Sequence, residues 1–353
     1  MVAPESETLT KLSMKALFIG FGNVGRKVAE ILFEEWEKFE NLKDLGLSVI
    51  GIVTKSHGAL VNQSGVDVVK ALQDFRDIGR FSTLSPEFAT ISGVNAARRL
   101  EYDVLVELST LSIQQRGEPA LSHVREALGR GKHVVTANKA PAAFAYHELR
   151  ELARKNGARF LHESTVMDGT PVFSLARSGL KGCRVTGLSG ILNSTTNFVL
   201  SRMEQGESLE DAVKTAQKEG FAEADPRHDL EGWDAAAKIT VLANALMGAS
   251  LTPFDVERQG ITRVSIQDAQ RAVQAGKHLK LICKAWREGS NVRAKVALEE
   301  VEHGHPLAPI HESGSILMIE TDLLAPFIIT ETDPTLYDTA YGVINDLLSL
   351  TPA

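Results

Sequence analysis

The chain of 353 residues is 43% hydrophobic and 24% charged, with a formal net charge of -7. That length is too great for one ordinary domain and suits two, and the composition is that of a soluble globular protein able to bury a normal core. The acidic balance excludes nucleic acid as the main partner, and no apolar run approaches the roughly 20 residues needed to cross a membrane.

The opening "MVAPESETLTKLS" is polar and lacks the apolar centre of a signal peptide, so residues 1–12 read as a flexible tail. The run "MKALFI" (14–19) reads as a strand and is followed at once by "GFGNVG". A helix comes next, with Val28, Ile31, Leu32 and Trp36 at helical spacing. Further strands are expected at 47–53, 103–108, 133–137 and 158–163, with helices at 118–131, stopped by Gly129 and Gly131, and at 142–157. Short apolar strands alternating with amphipathic helices predict an α/β, Rossmann-type, doubly wound parallel sheet over residues 13–163.

The pattern then changes. Helical stretches at about 171–179, 195–205, 208–219 and 230–248 mix with strand-like runs at 184–192, 280–286 and 292–298. They predict a second, α+β domain over 164–329. The closing "DTAYGVINDLLSL" reads as a helix with Ala340, Val343, Leu347 and Leu350 inward. Cys183 and Cys283 form neither a CxxC nor a zinc spacing. They read as reduced core thiols of a cytoplasmic protein, with a disulfide between them as the alternative.

Gly20, Gly22 and Gly25 stand as G-x-G-x-x-G between a strand and a helix, with Phe21, Asn23 and Val24 completing the loop. The first glycine permits a tight turn, the second lets backbone approach a pyrophosphate, and the third lets helix and strand pack closely. The helix N-terminus adds free N–H groups and partial positive charge. Dinucleotide binding is therefore expected, against a purely structural glycine turn. NAD binders usually carry an acid at the end of the second strand to hold the ribose 2′-hydroxyl. Here "VTKSHG" places Lys55 there instead, which favours NADP over NAD. Ser109 and Thr110 follow the 103–108 strand, and Lys139 in "TANK" follows the next. All three fall at the carboxyl edge of the sheet, where ligands of open α/β sheets bind, and Lys139 faces the nicotinamide crevice.

The segment "GFAEADPRHDLEGWDAAAKI" (220–239) crowds carboxylates against Lys238 and runs into an apolar helix. Asp234 and Lys238 are spaced i, i+4 and share a helix face. On a solvated helix such a pair is worth little. A buried pair needs its partners and a ligand to satisfy it. Where the Asp234 charge prevails over desolvation, Lys238 stays protonated at neutral pH and suits a general acid that protonates an alkoxide forming from an aldehyde, while a dinucleotide supplies the hydride. Glu223 could hold a substrate ammonium, and Asp229 could orient the lysine.

At these residues the sequence resembles homoserine dehydrogenase, in the short form without an appended ACT domain. The likeness runs from "GFGNVG" through "GKHVVTANKA", "ESTVMDGTP" and "GILNSTTN" to "GFAEADPRHDLEGWDAAAK". It implies reversible NAD(P)-linked interconversion of L-homoserine and L-aspartate 4-semialdehyde, on the route to threonine and methionine. By position, Lys238 matches the family's proton donor and Lys139 its second active-site lysine. Glu223 and Asp234 match substrate-binding acids, with Asp229 beside them, and Thr195 matches a threonine near the substrate. Glu163, Val166, Asp168 and Thr170 align with a sodium site built mainly from backbone carbonyls; a structural turn is the alternative. The resemblance also implies a homodimer built through the second domain, a cofactor domain completed by the C-terminal helix within 330–353, and no threonine feedback through an ACT domain. Three departures stand out: Lys55 replaces an acid common in relatives, Ser194 replaces a glycine, and "ETDPTLYDTAYG" replaces a glycine-rich stretch that contacts cofactor. Two other readings stay open, a sister dehydrogenase acting on another small hydroxy or amino acid, and a non-catalytic NADP-sensing module.

Overall fold

The computed structural model describes residues 14–39, 42 and 45–351; the tail expected at 1–12 lies outside them. In the first half, β1 (Met14–Ile19) leads into α1 (Asn23–Phe33), followed by β2 (Leu47–Val53), β3 (Ala59–Val61), α2 (Val68–Ile78), β4 (Phe88–Ala89) and α3 (Gly93–Arg99). Then come β5 (Val104–Glu107), α4 (Ala120–Gly129), β6 (His133–Thr136), α5 (Lys139–Lys155) and β7 (Phe160–Leu161). The seven strands form one sheet in the order β4-β3-β2-β1-β5-β6-β7. From β2 to β7 the pairings are parallel, as the alternating pattern predicts. β3 and β4 extend the β2 edge antiparallel, a hairpin-like border that the sequence reading missed because strands this short carry no period.

Helices cover both faces of this sheet. Val28 of α1, Leu72 of α2 and the C-terminal helix share one core cluster, and Ala96 of α3, Val124 of α4 and Leu149 of α5 share the other. The chain works outward from β1 through β2 to β4, then returns to β5 on the opposite flank of β1. That reversal opens a crevice between β1 and β5 at the carboxyl ends of the strands.

The second half runs α6 (Val172–Gly179), β8 (Val185–Ile191), α7 (Ser194–Glu204), α8 (Leu209–Glu219), α9 (Arg227–Leu230), α10 (Trp233–Met247), β9 (Glu257–Arg258) and α11 (Ile266–Gln274). It continues through β10 (Lys277–Glu288), β11 (Asn291–Glu302), β12 (Ser315–Thr321) and β13 (Phe327–Glu331). These strands form a second sheet in the order β13-β12-β8-β10-β11-β9, antiparallel except for the short β11–β9 pairing. One face packs Leu188, Leu281, Cys283 and Ala285 beneath α7, α10 and α11. The other face is covered over part of its area by the loop after β11, through Leu307, Ala308 and Ile310.

Helix α10 is the spine of this half. It is apolar nearly all round, and Ala235, Ala236, Ala237, Ile239 and Val241 are all buried. A helix with no polar face belongs in a core. It packs against α5 of the first half, where Ala142 and Ala143 join its cluster and Asn244 Nδ2 donates to the Ala142 carbonyl at 3.4 Å. The last helix, α12 (Leu336–Leu348), returns to the first sheet and packs on α1. Ala340, Val343 and Leu347 are buried there as the spacing predicts, while Leu350 packs against the same cluster half-buried beyond the helix end. The two cysteines are unpaired thiols, Cys283 buried and Cys183 partly so.

Candidate active site

The glycine loop has the geometry its three roles demand. Gly20 sits at φ +102°, and a Cβ there would run into the Leu108 backbone carbonyl. A Cβ at Gly25 would lie 3.0 Å from the Gly20 carbonyl oxygen. At Gly22 a Cβ would meet nothing within 4 Å among the described residues, so that backbone is open to a ligand. Gly22 also caps α1 without a side-chain hydrogen bond, which leaves the first-turn N–H groups for an anion. Phe21 is buried against Phe75 and Phe81, with ring centroids 5.3 and 5.6 Å away, so it offers only backbone. Val24 is half-buried in the same core, and the exposed Asn23 accepts a bond of 2.8 Å from Arg26.

Around this loop stand the other cofactor candidates. Lys55 is exposed in a β2–β3 turn closed by Thr54, whose hydroxyl donates to the Gly58 carbonyl at 2.8 Å. Arg26 lies 5.4 Å over the Phe75 ring, and the His57 ring is 5.5 Å from it, so a second cation stands near the turn that carries Lys55 and His57. The Ser109 hydroxyl donates to the Glu107 carboxylate, and Thr110 is exposed. Asn138 donates to the Ser109 carbonyl at 3.0 Å and also caps α5, accepting from Ala140 N–H at 3.0 Å. Asn138 thereby locks the β5 loop to the helix that begins with Lys139.

Two lysines from different halves of the molecule meet on one carboxylate. Asp234 Oδ1 lies 3.2 Å from Lys139 Nζ, and Asp234 Oδ2 lies 3.4 Å from Lys238 Nζ. Lys238 also donates to the Leu192 carbonyl at 2.7 Å. Burial alone would lower the Lys238 pKa, but the charges of Asp234, Asp168, Glu331 and Asp229 outweigh it and raise the pKa above the ordinary lysine range. For Asp234 the opposition runs the other way. Burial would raise its pKa, and the two lysines with the Asn193 hydrogen bond hold it well below the usual carboxylate range. Asp229 sits close by, pushed up to about 6 by burial and by the Asp234 charge.

Asn193, which the sequence reading missed, organises both acids. Its Nδ2 donates to Asp229 at 2.8 Å and to Asp234 at 2.9 Å, while its Oδ1 accepts from Thr196 N–H at 2.8 Å as the N-cap of α7. The available signal was the cap pattern in "NSTT", an Asn ahead of a helical run. Thr195 is buried, and its hydroxyl donates to the Phe221 carbonyl at 2.7 Å, tying α7 to the acidic loop. Glu223 differs from the expectation. Its side chain is exposed and makes no hydrogen bond or ion pair among the described residues; only its carbonyl is engaged, by Gln217 at 3.1 Å. It is not gathered with Asp229, Asp234 and the lysines.

The residues expected to hold a cation split into two sets. Glu163 uses its carboxylate to cap α6, accepting from Phe173 N–H at 2.7 Å and Ser174 N–H at 2.8 Å, so its side chain is committed. Val166 is fully buried. Asp168, at φ +48°, accepts from the Thr339 hydroxyl at 2.7 Å. Thr170 donates to Glu331 at 3.0 Å. Glu331 is the second residue that the sequence reading missed. Its Oε2 is buried without a hydrogen-bond partner among the described residues, and burial with the Asp168 charge pushes its pKa up to about 7. Glu331 Oε2, without a partner of its own beside Asp168, is the kind of oxygen donor that a monovalent cation would fit.

Residues 20–163 match the family model for the homoserine dehydrogenase NAD-binding domain, and residues 171–348 match the model for homoserine dehydrogenase. The NAD(+)-dependent homoserine dehydrogenase of Pseudomonas canavaninivorans is 35% identical over 95% of this chain and 96% of its own length. The chain belongs to the homoserine dehydrogenase family. It is an NAD(P)-dependent oxidoreductase acting on a CH–OH group. The homoserine dehydrogenase of Methanocaldococcus jannaschii is 32% identical over 96% of this chain and 98% of its own. Among solved structures, homoserine dehydrogenase from Thermoplasma acidophilum superposes with a TM-score of 0.81 at 28% identity, covering 96% of this chain and 98% of that one. A hyperthermophilic archaeal homoserine dehydrogenase in complex with NADPH gives 0.78 at 28% identity, covering 95% and 97%. The family's nucleotide half thus corresponds to the β1–β7 sheet, and its second half to the sheet that carries Asp234 and Lys238.

Proposed function

We propose that this homoserine dehydrogenase interconverts L-homoserine and L-aspartate 4-semialdehyde with Lys238 as the proton carrier, Lys139 as its partner at the cofactor side, and Asp234 as the carboxylate that holds both. The observation that carries this reading is the bridge of Asp234 between the two lysines, at 3.2 and 3.4 Å. A bound nicotinamide dinucleotide supplies the hydride exchange at the substrate carbon. Lys238 enters the reducing direction protonated, because four carboxylates raise its pKa, and gives that proton to the forming alkoxide. Asp229 and Asp234 offer negative charge to the substrate ammonium, and Thr195 fixes the wall of the pocket through Phe221. Glu223, exposed on the loop before α9, is the further acid that this reading assigns to the substrate. We take residues 13–163 with 330–353 as the cofactor unit and 164–329 as the substrate unit.

The preferred cofactor on this reading is NADP. Lys55 in place of an acid, with Arg26 and His57 flanking Phe75, supports a site for a 2′-phosphate. Named relatives occur on both sides, an NAD(+)-dependent enzyme and one in complex with NADPH. A sodium ion is proposed at Glu163, Val166, Asp168 and Thr170, held mainly by backbone carbonyls, with Glu331 contributing a carboxylate. The assembly is proposed to be a homodimer joined through the second sheet, whose loop-covered face also presents Trp286 and Met318 to an open groove. No helix is long and apolar enough to cross a membrane among the described residues. The unpaired thiols support a cytoplasmic setting.

The direct test is turnover. Aspartate semialdehyde with NADPH should consume the reduced cofactor, and homoserine with NADP should regenerate it. A protein that folds and binds NADPH yet turns over neither substrate refutes the reading.

A further inference from the structure

Four of the chain's ten histidines fall between positions 278 and 311, and three of them converge at one end of the second sheet. His278 is the second residue of β10. Its Nδ1 lies 2.9 Å from Glu204 Oε2 at the last turn of α7. The other Glu204 oxygen accepts the Leu279 N–H at 2.8 Å, which fixes the carboxylate in place. The loop after β11, "HGHPLAPIHE", brings His311 edge-on to His278 with ring centroids 4.7 Å apart, and stacks His303 on it at 4.6 Å.

We propose that Glu204, His278 and His311 form a site for a divalent transition ion of the zinc class. Their three donor atoms all lie within 4.8 Å of one another. Zinc bonds of about 2.0–2.1 Å in tetrahedral geometry place neighbouring donor atoms about 3.3 Å apart. The Glu204–His278 pair is already at 2.9 Å, so occupancy needs a slight opening there and a small inward move of the exposed His311. Two imidazoles and a carboxylate are the donor types that borderline divalent ions select, and a water completes the shell.

One charge opposes the ion. Lys280 is fully buried and donates to the Ile310 carbonyl at 2.6 Å and to Asn197 Oδ1 at 3.1 Å. Both bonds aim its ammonium at Asn197 and the Ile310 carbonyl and not at the Glu204 carboxylate. An ion here would tie together the end of α7, the start of β10 and the loop after β11. Nothing in the proposed chemistry passes through it, so the site is structural.

The test uses the full-length protein stripped with a chelator and titrated with zinc chloride by calorimetry, then with cobalt(II) followed by visible absorption. The expected result is about one ion per chain with tetrahedral cobalt bands, and a higher thermal midpoint with zinc. His311→Ala and Glu204→Gln should each weaken binding roughly 10-fold or more and abolish the thermal shift. His311 is exposed, so its variant keeps the fold and unchanged homoserine turnover. His303→Ala should bind as the parent does. Absence of saturable binding overturns the proposal, and so does equal binding by the parent, His311→Ala and Glu204→Gln, which would place any ion on other surface histidines.

Discussion

Lys238 and Asp234 illustrate how two largely buried charges keep each other ionised. Each loses solvation, and each regains more from its neighbours than burial takes away. Lys238→Ala should therefore lower kcat by roughly 10²–10⁴-fold, the range of a lost general acid, while the dissociation constant for NADPH stays within about twofold. A variant that retains near-parental kcat would remove the proton role. Asp234→Ala leaves two ammonium groups without their shared partner and should cost about 2–4 kcal/mol in urea unfolding. Asp229 behaves differently, because its pKa is raised to about 6. Below that value it is neutral and holds an ammonium poorly, so kcat/KM for homoserine should fall on the acid side with an apparent pKa near 6, and Asp229→Asn should erase that limb. The stability sign is opposite. The folded state holds this proton more tightly than the unfolded chain does, so stability is lost as pH rises from the unfolded value toward 6. Substrate-free Asp229→Asn should thus melt higher than the parent at pH 8, an advantage that vanishes at pH 4.

At the scale of elements, the β1–α1 turn separates fold from ligand at two neighbouring glycines. Gly20 needs its φ of +102° and has no room for a methyl group. Gly20→Ala should destabilise the protein by about 2 kcal/mol or more in chemical denaturation, through left-handed strain and collision with Leu108. Gly22 has neither constraint, since a Cβ there meets open space. Gly22→Ala should leave the melting temperature nearly unchanged and still weaken NADPH binding, because the methyl group occupies the approach of the pyrophosphate. If both variants lose stability equally, the loop is a folding element and not a phosphate cradle. Helix caps do related work deeper in the site. Asn193 and Asn138 each start a helix and also anchor the loop or acids beside it, so the positions of Asp229, Asp234 and Lys139 are set by helix initiation.

The whole molecule brings α5 and α10 together, and only that contact turns two separate lysines into one site. The proposed dimer is tested by light scattering, which should give twice the 38.3 kDa chain mass. Placing a charge in the open groove, as in Met318→Glu, should yield monomer without disturbing the nucleotide half. Cofactor choice is also a property of the assembled surface. Lys55→Ala should raise KM for NADP by roughly 10-fold and leave KM for NAD nearly constant, because only the former carries the 2′-phosphate. Equal losses for both cofactors would count against a phosphate contact.

The sequence alone determined what local pattern can encode. The glycine loop, the parallel strands of the first sheet, the buried character of α10 and the one-turn spacing of Asp234 and Lys238 all follow from periods and turn chemistry within a few residues. The β3–β4 border was not legible, since two- and three-residue strands have no period and are defined by the partner they meet. Tertiary structure decided the rest. Asp234 became the bridge to Lys139, Asn193 the holder of two acids, Glu331 the orphaned carboxylate near Asp168, and Glu204 the mate of two histidines. Each joins side chains far apart along the chain. Charge and hydrogen bonding act through space, so the pKa values and contacts that make chemistry exist only once packing has brought those groups together.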